Sequence, residues 1–117
     1  MSKIEEEFAS FFDSKCLAFV RNNKVLKGTP DFTFFNGKLA LFIHGCFWHG
    51  HNCKSRNLDK VWQSKINNTI EKDFLVRQHF LKSNIQYFRI WECEYHAQKN
   101  YTLEKVYKEI TLQLPHS

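Results

Sequence analysis

The feature that most constrains this chain is a set of metal-type ligands split between one short segment and a distant position. Cys46, His51 and Cys53 fall within eight residues, and Cys93 stands far downstream. Thiolates and imidazoles at such spacing suit tetrahedral zinc. A fold that closes this tetrahedron must bring Cys93 back to the segment that carries the other three. A Cys₃His set fills all four positions, which suits a structural rather than a catalytic zinc. His49 competes with His51 for the histidine position, and spacing alone does not settle the choice. The alternative is a set of buried, redox-inert cysteines. The fourth cysteine, Cys16, lies in an apolar stretch and reads as a core thiol.

The 117 residues fit one domain, 1–117, and 43% hydrophobic content is enough for a core. No apolar run approaches the ~18 residues of a transmembrane helix. The start, Met-Ser-Lys-Ile-Glu-Glu-Glu, is not a signal peptide, because no apolar region follows a basic one. An intracellular, reducing location follows, and there cysteines bind metal more often than they form disulfides. Lys and Arg exceed Asp and Glu, 17 to 12, a net charge of +5. That balance points toward a polyanionic partner such as nucleic acid. The distribution strengthens it: Lys54, Arg56, Lys60 and Lys65 follow the ligand-rich run, and Glu5-Glu6-Glu7 lie far away.

Apolar periodicity predicts a helix near 3–14, on Ile4, Phe8, Phe11 and Phe12. Leu17 to Arg21 reads as a short strand ended by Asn22-Asn23. Asp31 to Phe35 reads as a strand, Asn36-Gly37 as a two-residue hairpin turn, and Lys38 to Ile43 as a central return strand. The ligand-rich run is then a loop. Trp62, Ile66, Ile70, Phe74 and Leu81 mark one face of a long helix near 60–84. Ile85 to Cys93 reads as a buried strand, and Leu103, Val106, Tyr107 and Ile110 as a last helix. The order α-β-β-β-α-β-α gives a mixed sheet with helices on its faces.

Asp31 follows Gly28-Thr29-Pro30 and opens a strand, a position suited to holding Mg²⁺ through a carboxylate. The bland reading is a turn aspartate. The hairpin raises the odds, because its return strand ends at His44 and carries that histidine back toward Asp31. Phe47-Trp48 either pad the metal or enter between stacked bases as an aromatic wedge. Trp62 fits either role or the core. Asp73 reads as an exposed helix carboxylate or as the acceptor that orients a catalytic histidine. Glu5 reads as surface charge.

Together these residues resemble the very short patch repair (Vsr) endonucleases of bacteria. The matching pieces are Gly28-Thr29-Pro30-Asp31-Phe32 and the run from Phe42 to Cys53, which contains His44-Gly45-Cys46-Phe47-Trp48-His49. Trp62, Lys65, Glu71-Lys72-Asp73 and Trp91-Glu92-Cys93 complete them. The resemblance implies a restriction-endonuclease-like α/β fold with a structural zinc site. It implies a Mg²⁺-dependent enzyme that nicks one DNA strand 5′ to the T of a T:G mismatch. In that reading Asp31 holds Mg²⁺ and Ile43 contributes its backbone carbonyl. His49 is the general base held by Asp73, His44 stands at the cleavage site, and Glu5 is an accessory acid. Zn²⁺ takes Cys46, His51, Cys53 and Cys93. Phe47, Trp48 and Trp62 intercalate at the mismatch, and Lys65 joins them in contacting DNA.

The resemblance further implies a monomer in the bacterial cytoplasm, at the nucleoid. A functional link to a DNA cytosine methyltransferase and to mismatch repair proteins goes with it. Two departures stand out. Family members carry a basic and polar N-terminal arm with an intercalating methionine, whereas this sequence begins at the first helix, so the arm is expected to be absent. Ile43 stands where threonine is frequent. The competing readings are a restriction-like nuclease that cuts matched DNA and a zinc-stabilised DNA-binding module without cleavage. Asp31, His44 and His49 together argue against the module.

Overall fold

The computed structural model describes residues 2–51 and 58–113. The first helix, α1 (Lys3–Ser14), starts at Ser2, whose hydroxyl accepts the Glu5 N–H at 3.2 Å while the Glu5 carboxylate accepts the Ser2 N–H at 3.2 Å. This reciprocal cap satisfies two donors that a helix start leaves open. Cys16, at φ 57, turns the chain out of the helix. It is exposed, which corrects its reading as a core thiol. The short β1 (Val20–Arg21) follows, then β2 (Phe32–Phe34), β3 (Leu39–His44), α2 (Lys60–Lys82), β4 (Gln86–Trp91), α3 (Glu92–Ala97) and α4 (Lys99–Leu112).

The sheet order is β1-β2-β3-β4. The first two pairings are antiparallel, and β3 with β4 is parallel. A parallel neighbour needs a crossover, and α2 supplies it. The β2–β3 turn has Asn36 and Gly37 at φ 58 and φ 80, with the Lys38 N–H donating to the Phe35 carbonyl at 3.3 Å. Positive φ at both central residues is what a tight hairpin requires. Phe35 is also left-handed, at φ 55, which ends the β2–β3 ladder at the Phe34–Leu39 pair.

Register sorts the side chains onto two faces. Phe32, Phe34, Leu39, Leu41 and Ile90 face α1 and α4 and pack with Phe8, Phe12, Tyr95, Leu103, Val106 and Ile110. Phe12 meets Phe32 and Phe34 edge-on, at 5.3 and 5.2 Å. Ala40, Phe42 and His44 face the other way with Tyr87, Arg89 and Trp91, which are their partners across the parallel pair.

Three sequence expectations need correction. Cys93 does not end a strand: β4 stops at Trp91, and Cys93 lies in the first turn of α3, capped by Glu94 accepting the Trp91 N–H. The expected last helix is there as α4, but the element order gains a helix: α3 precedes it, separated at Gln98, whose φ −148 and ψ 73 are not helical. The apolar stripe on α2 is not its sheet-facing side. Ile66 is buried, but Ile70, Phe74 and Leu81 are 43%, 59% and 61% exposed. The side turned to the sheet runs Ile66, Thr69, Asp73, Val76, Phe80, spaced three or four apart, with each of these residues buried or half-buried. Its middle is polar because it roofs a cavity.

Candidate active site and ligand cluster

That cavity, about 320 Å³, lies between α2 and the His44 end of β3. Asp31, Ile43, His44, His49, Thr69, Lys72, Asp73 and Tyr87 all line it. Local backbone makes the opening: Gly28 and Thr29 are left-handed, at φ 80 and φ 49, and a Cβ on Gly28 would lie 2.9 Å from Val76. Glycine is the residue that fits there.

The β2–β3 ladder stops at Phe32–Leu41, so the next N–H of β3 that faces β2 has no strand partner. Asp31 takes it: its Oδ2 accepts the Ile43 N–H at 2.7 Å. Glu5 reaches the same carboxyl from α1. Burial, with Glu5 beside it, pushes the Asp31 carboxyl up to about 7. Burial raises Glu5 as well, but hydrogen bonds with Asp31 and Ser2 and the charge of Arg21 outweigh it and lower that carboxyl. The pair's shifts run in opposite directions, as expected for two carboxyls in hydrogen-bond contact. Glu5 is therefore not the simple surface charge its position in the sequence suggests; the Ser2–Glu5 cap fixes it beside Asp31. Two oxygen-bearing side chains in contact fit a hard divalent cation.

His44 is 4% exposed. Its burial, then the charges of His49 and Arg89, bring it down to about 3, so it stays neutral. His49 lies flat on it, with ring centres 3.7 Å apart and an interplanar angle of 0°. The His49 Nδ1 is 2.6 Å from Asp73 Oδ2. Asp73 thereby orients one histidine and leaves its Nε2 available.

The segment after β3 is tightly turned: the His49 N–H donates to the Gly45 carbonyl at 3.2 Å and the His51 N–H to the Cys46 carbonyl at 2.9 Å. This winding sends neighbouring histidines in different directions, His49 to Asp73 and His51 to the cysteines. One ligand atom each of Cys46, His51 and Cys93 lies within 4.8 Å of the others. Cys93 Sγ is 3.5 Å from His51 Nδ1, and His51 stacks on Trp91 at 4.2 Å and 9°. Glu92 ties the two segments, accepting the Cys46 N–H at 3.2 Å. Half-buried and buried sulfur and imidazole donors this close fit a zinc ion. Cys53, the remaining expected ligand, lies outside the described residues, as do Lys54 and Arg56.

Phe47, Trp48 and Trp62 form one cluster, with ring centres 5.1, 5.6 and 5.8 Å apart. Trp48 is 53% exposed and Trp62 38%. That exposure argues against a purely packing role. Lys65 Nζ stands 5.0 Å over the Trp62 ring. Sequence reasoning missed Thr69, Lys72 and Tyr87 in the cavity wall and Glu92 as the tie. Tyr87 could have been found from its two-residue spacing to Arg89 and Trp91, which puts all three on the His44 face.

Comparison with known proteins agrees with this picture. The family described as DNA mismatch endonuclease Vsr matches residues 1–55. The type II nicking enzyme V.XorIIP of Xanthomonas oryzae pv. oryzae is 34% identical over 94 residues, 77% of this chain and 69% of that protein. The DNA mismatch endonuclease Vsr of Escherichia coli K12 is 30% identical over 105 residues, 86% of this chain and 67% of that protein. The type II nicking enzyme V.NmeAIP of Neisseria meningitidis is 35% identical over 78 residues, and the match spans only 56% of it. A mixed four-stranded sheet with a carboxylate–histidine cavity, joined to these relatives, places the chain among the DNA endonucleases. It belongs to the Vsr family of DNA mismatch endonucleases.

Proposed function

We propose that the chain is a Mg²⁺-dependent endonuclease that nicks one strand of double-stranded DNA 5′ to the T of a T:G mismatch. The observation that carries this reading is the convergence of Glu5, Asp31, His44, His49 and Asp73 from separate elements at one site. Asp31 and Glu5 would hold Mg²⁺, with the Ile43 carbonyl as a further oxygen. Bound there, the ion supplies charge neutralisation at the phosphate. His49 accepts the proton of the attacking water at Nε2 while Asp73 holds its Nδ1–H. His44, kept neutral by burial, offers the phosphate a hydrogen bond rather than a charge. Cys46, His51 and Cys93, with Cys53, would hold a structural zinc that fixes the loop between wedge and base.

Phe47, Trp48 and Trp62 enter the base step, and Lys65 adds a cation beside them. A wobble pair stacks less well than a matched one, so opening it costs less and the wedge selects for it. The enzyme is read as a restriction-endonuclease-like monomer of the bacterial nucleoid. Its substrate arises where a DNA cytosine methyltransferase has acted and 5-methylcytosine has deaminated, which links it to mismatch repair.

Nicking assays of two variants test the assignment. Asp31→Asn is expected to abolish Mg²⁺-supported nicking with DNA binding largely retained. His49→Ala should lower the rate by about 10²–10⁴, the usual worth of a general base, with zinc content unchanged. Zinc loss in His49→Ala would mean that the roles of His49 and His51 are exchanged. Undiminished nicking would remove His49 as the base.

A further inference from the structure

β4 carries a single cation, Arg89. Among the described residues β4 is an edge strand of the sheet, and register puts Arg89 beside Phe42, on the face that carries His44. The side chain leans along the strand toward the His44 end. Its Cζ stands 4.7 Å from the centre of the Trp91 ring, and Trp91 is the cross-strand partner of His44, with ring centres 5.6 Å apart. His51 stacks on the same indole at 4.2 Å. An aromatic face attracts a guanidinium through its ring quadrupole, so this charge has a fixed seat beside the candidate site. Arg89 is exposed, and among the described residues no carboxylate lies within ion-pair distance of it. Its charge reaches into the site: His44 is held neutral by burial first, then by His49 and Arg89.

We propose that Arg89 binds a backbone phosphate of the DNA strand beside the cleavage point, with Trp91 as the platform that fixes its guanidinium. The contact rests on the nuclease reading above, which puts DNA on this face. A neutral His44 brings no charge to the phosphates there. Lys72 brings one from the α2 side of the cavity, and Arg89 brings one from the β4 side. A guanidinium without a carboxylate partner keeps its N–H fork for a ligand, and phosphate oxygens match that fork. A charge on an edge strand also discourages pairing with another strand, but that role needs no seat on Trp91. Phosphate contacts position a duplex and carry no sequence information. Arg89 therefore serves T:G and T:A duplexes alike, unlike the aromatic wedge.

The test is duplex binding without added Mg²⁺, so that no strand is cut, at a series of salt concentrations. Wild type, Arg89→Met and Arg89→Lys are each titrated with T:G and T:A duplexes. Arg89→Met keeps an unbranched stem and loses the charge. It should weaken binding to both duplexes about tenfold at low salt, the scale of one charged hydrogen bond. The slope of log K against log salt should become shallower by about 0.9, the share of one phosphate. Arg89→Lys should restore the slope and only part of the affinity, because an ammonium lacks the planar fork. Zinc content and melting temperature equal to wild type show that both variants fold. A wild-type slope in Arg89→Met overturns the contact, and so does a loss confined to the T:G duplex. Zinc loss with an unchanged slope overturns it too and leaves Arg89 a packing role behind Trp91 and His51. A wild type that binds neither duplex defeats the proposed function and this contact together. A wild type that binds, with the slope unchanged in Arg89→Met, defeats the contact alone.

Discussion

Asp31, the proposed Mg²⁺ ligand, is where proton and cation would compete. In Mg²⁺-free protein its carboxyl, ordinarily at 3.8, is raised to about 7 by burial and by Glu5. Between those values the folded chain binds more protons than the unfolded one. Stability therefore falls as pH rises from about 4 to about 7 and is level above. Asp31→Asn removes that loss. The variant should melt at the same temperature as wild type near pH 4 and a few degrees higher at pH 8, the scale that ~1 kcal/mol produces in a small domain. His44 works in the opposite direction. Its value is lowered from 6.5 to about 3, so the unfolded chain binds the extra proton, and wild-type stability falls as pH drops through that window. Because both proteins keep His44, the difference between their paired melts isolates the Asp31–Glu5 pair. A difference that does not grow with pH would contradict the raised carboxyl.

At the scale of elements, the docking of the ligand-bearing loop on α2 decides where the proposed wedge and base stand. Gly50 is left-handed, at φ 67, and a Cβ there would lie 2.4 Å from Ile70 Cδ1. Gly50→Ala should cost roughly 1–3 kcal/mol, as overpacking does, measured by urea unfolding of zinc-loaded protein. An unchanged midpoint would mean that the loop does not rest on α2. The wedge gives a second test. Base–aromatic stacking is worth ~1–3 kcal/mol per base, so Trp48→Ala should weaken binding to a T:G duplex by about one to two orders of magnitude with little change on T:A. Equal losses on both duplexes would leave Trp48 a packing role only. The same elements show what the sequence could reveal. The hairpin was legible because Asn36-Gly37 supplies two residues that accept positive φ. The Asp31–His44 convergence followed from that hairpin. The orientation of α2 was not legible: the polar Thr69 and Asp73 occupy its inward face over the cavity, so hydrophobic periodicity pointed to the wrong side. Cys93 was misplaced because no Gly, Pro or other turn residue separates β4 from α3. Glu5 read as surface charge from its own residues, since no local pattern records which helix end meets which strand; only the family resemblance set it near the metal.

For the whole molecule, the cysteine–histidine cluster joins the end of the central strand to the start of α3 across the parallel β3–β4 pair. Structural zinc is worth about 10–16 kcal/mol in small zinc peptides, as much as the net stability of a whole domain. One zinc per chain is expected by elemental analysis, with cooperative unfolding on chelation. Folded, zinc-free protein would refute that role. The central claim, a mismatch-directed nick, is tested most directly with two duplexes that differ only in T:G against T:A, each labelled separately on both strands and incubated with Mg²⁺. One product is expected, cut 5′ to the mismatched T, with the opposite strand and the matched duplex left intact. Cleavage of both strands of the matched duplex at a comparable rate would contradict it and identify a restriction-like nuclease instead.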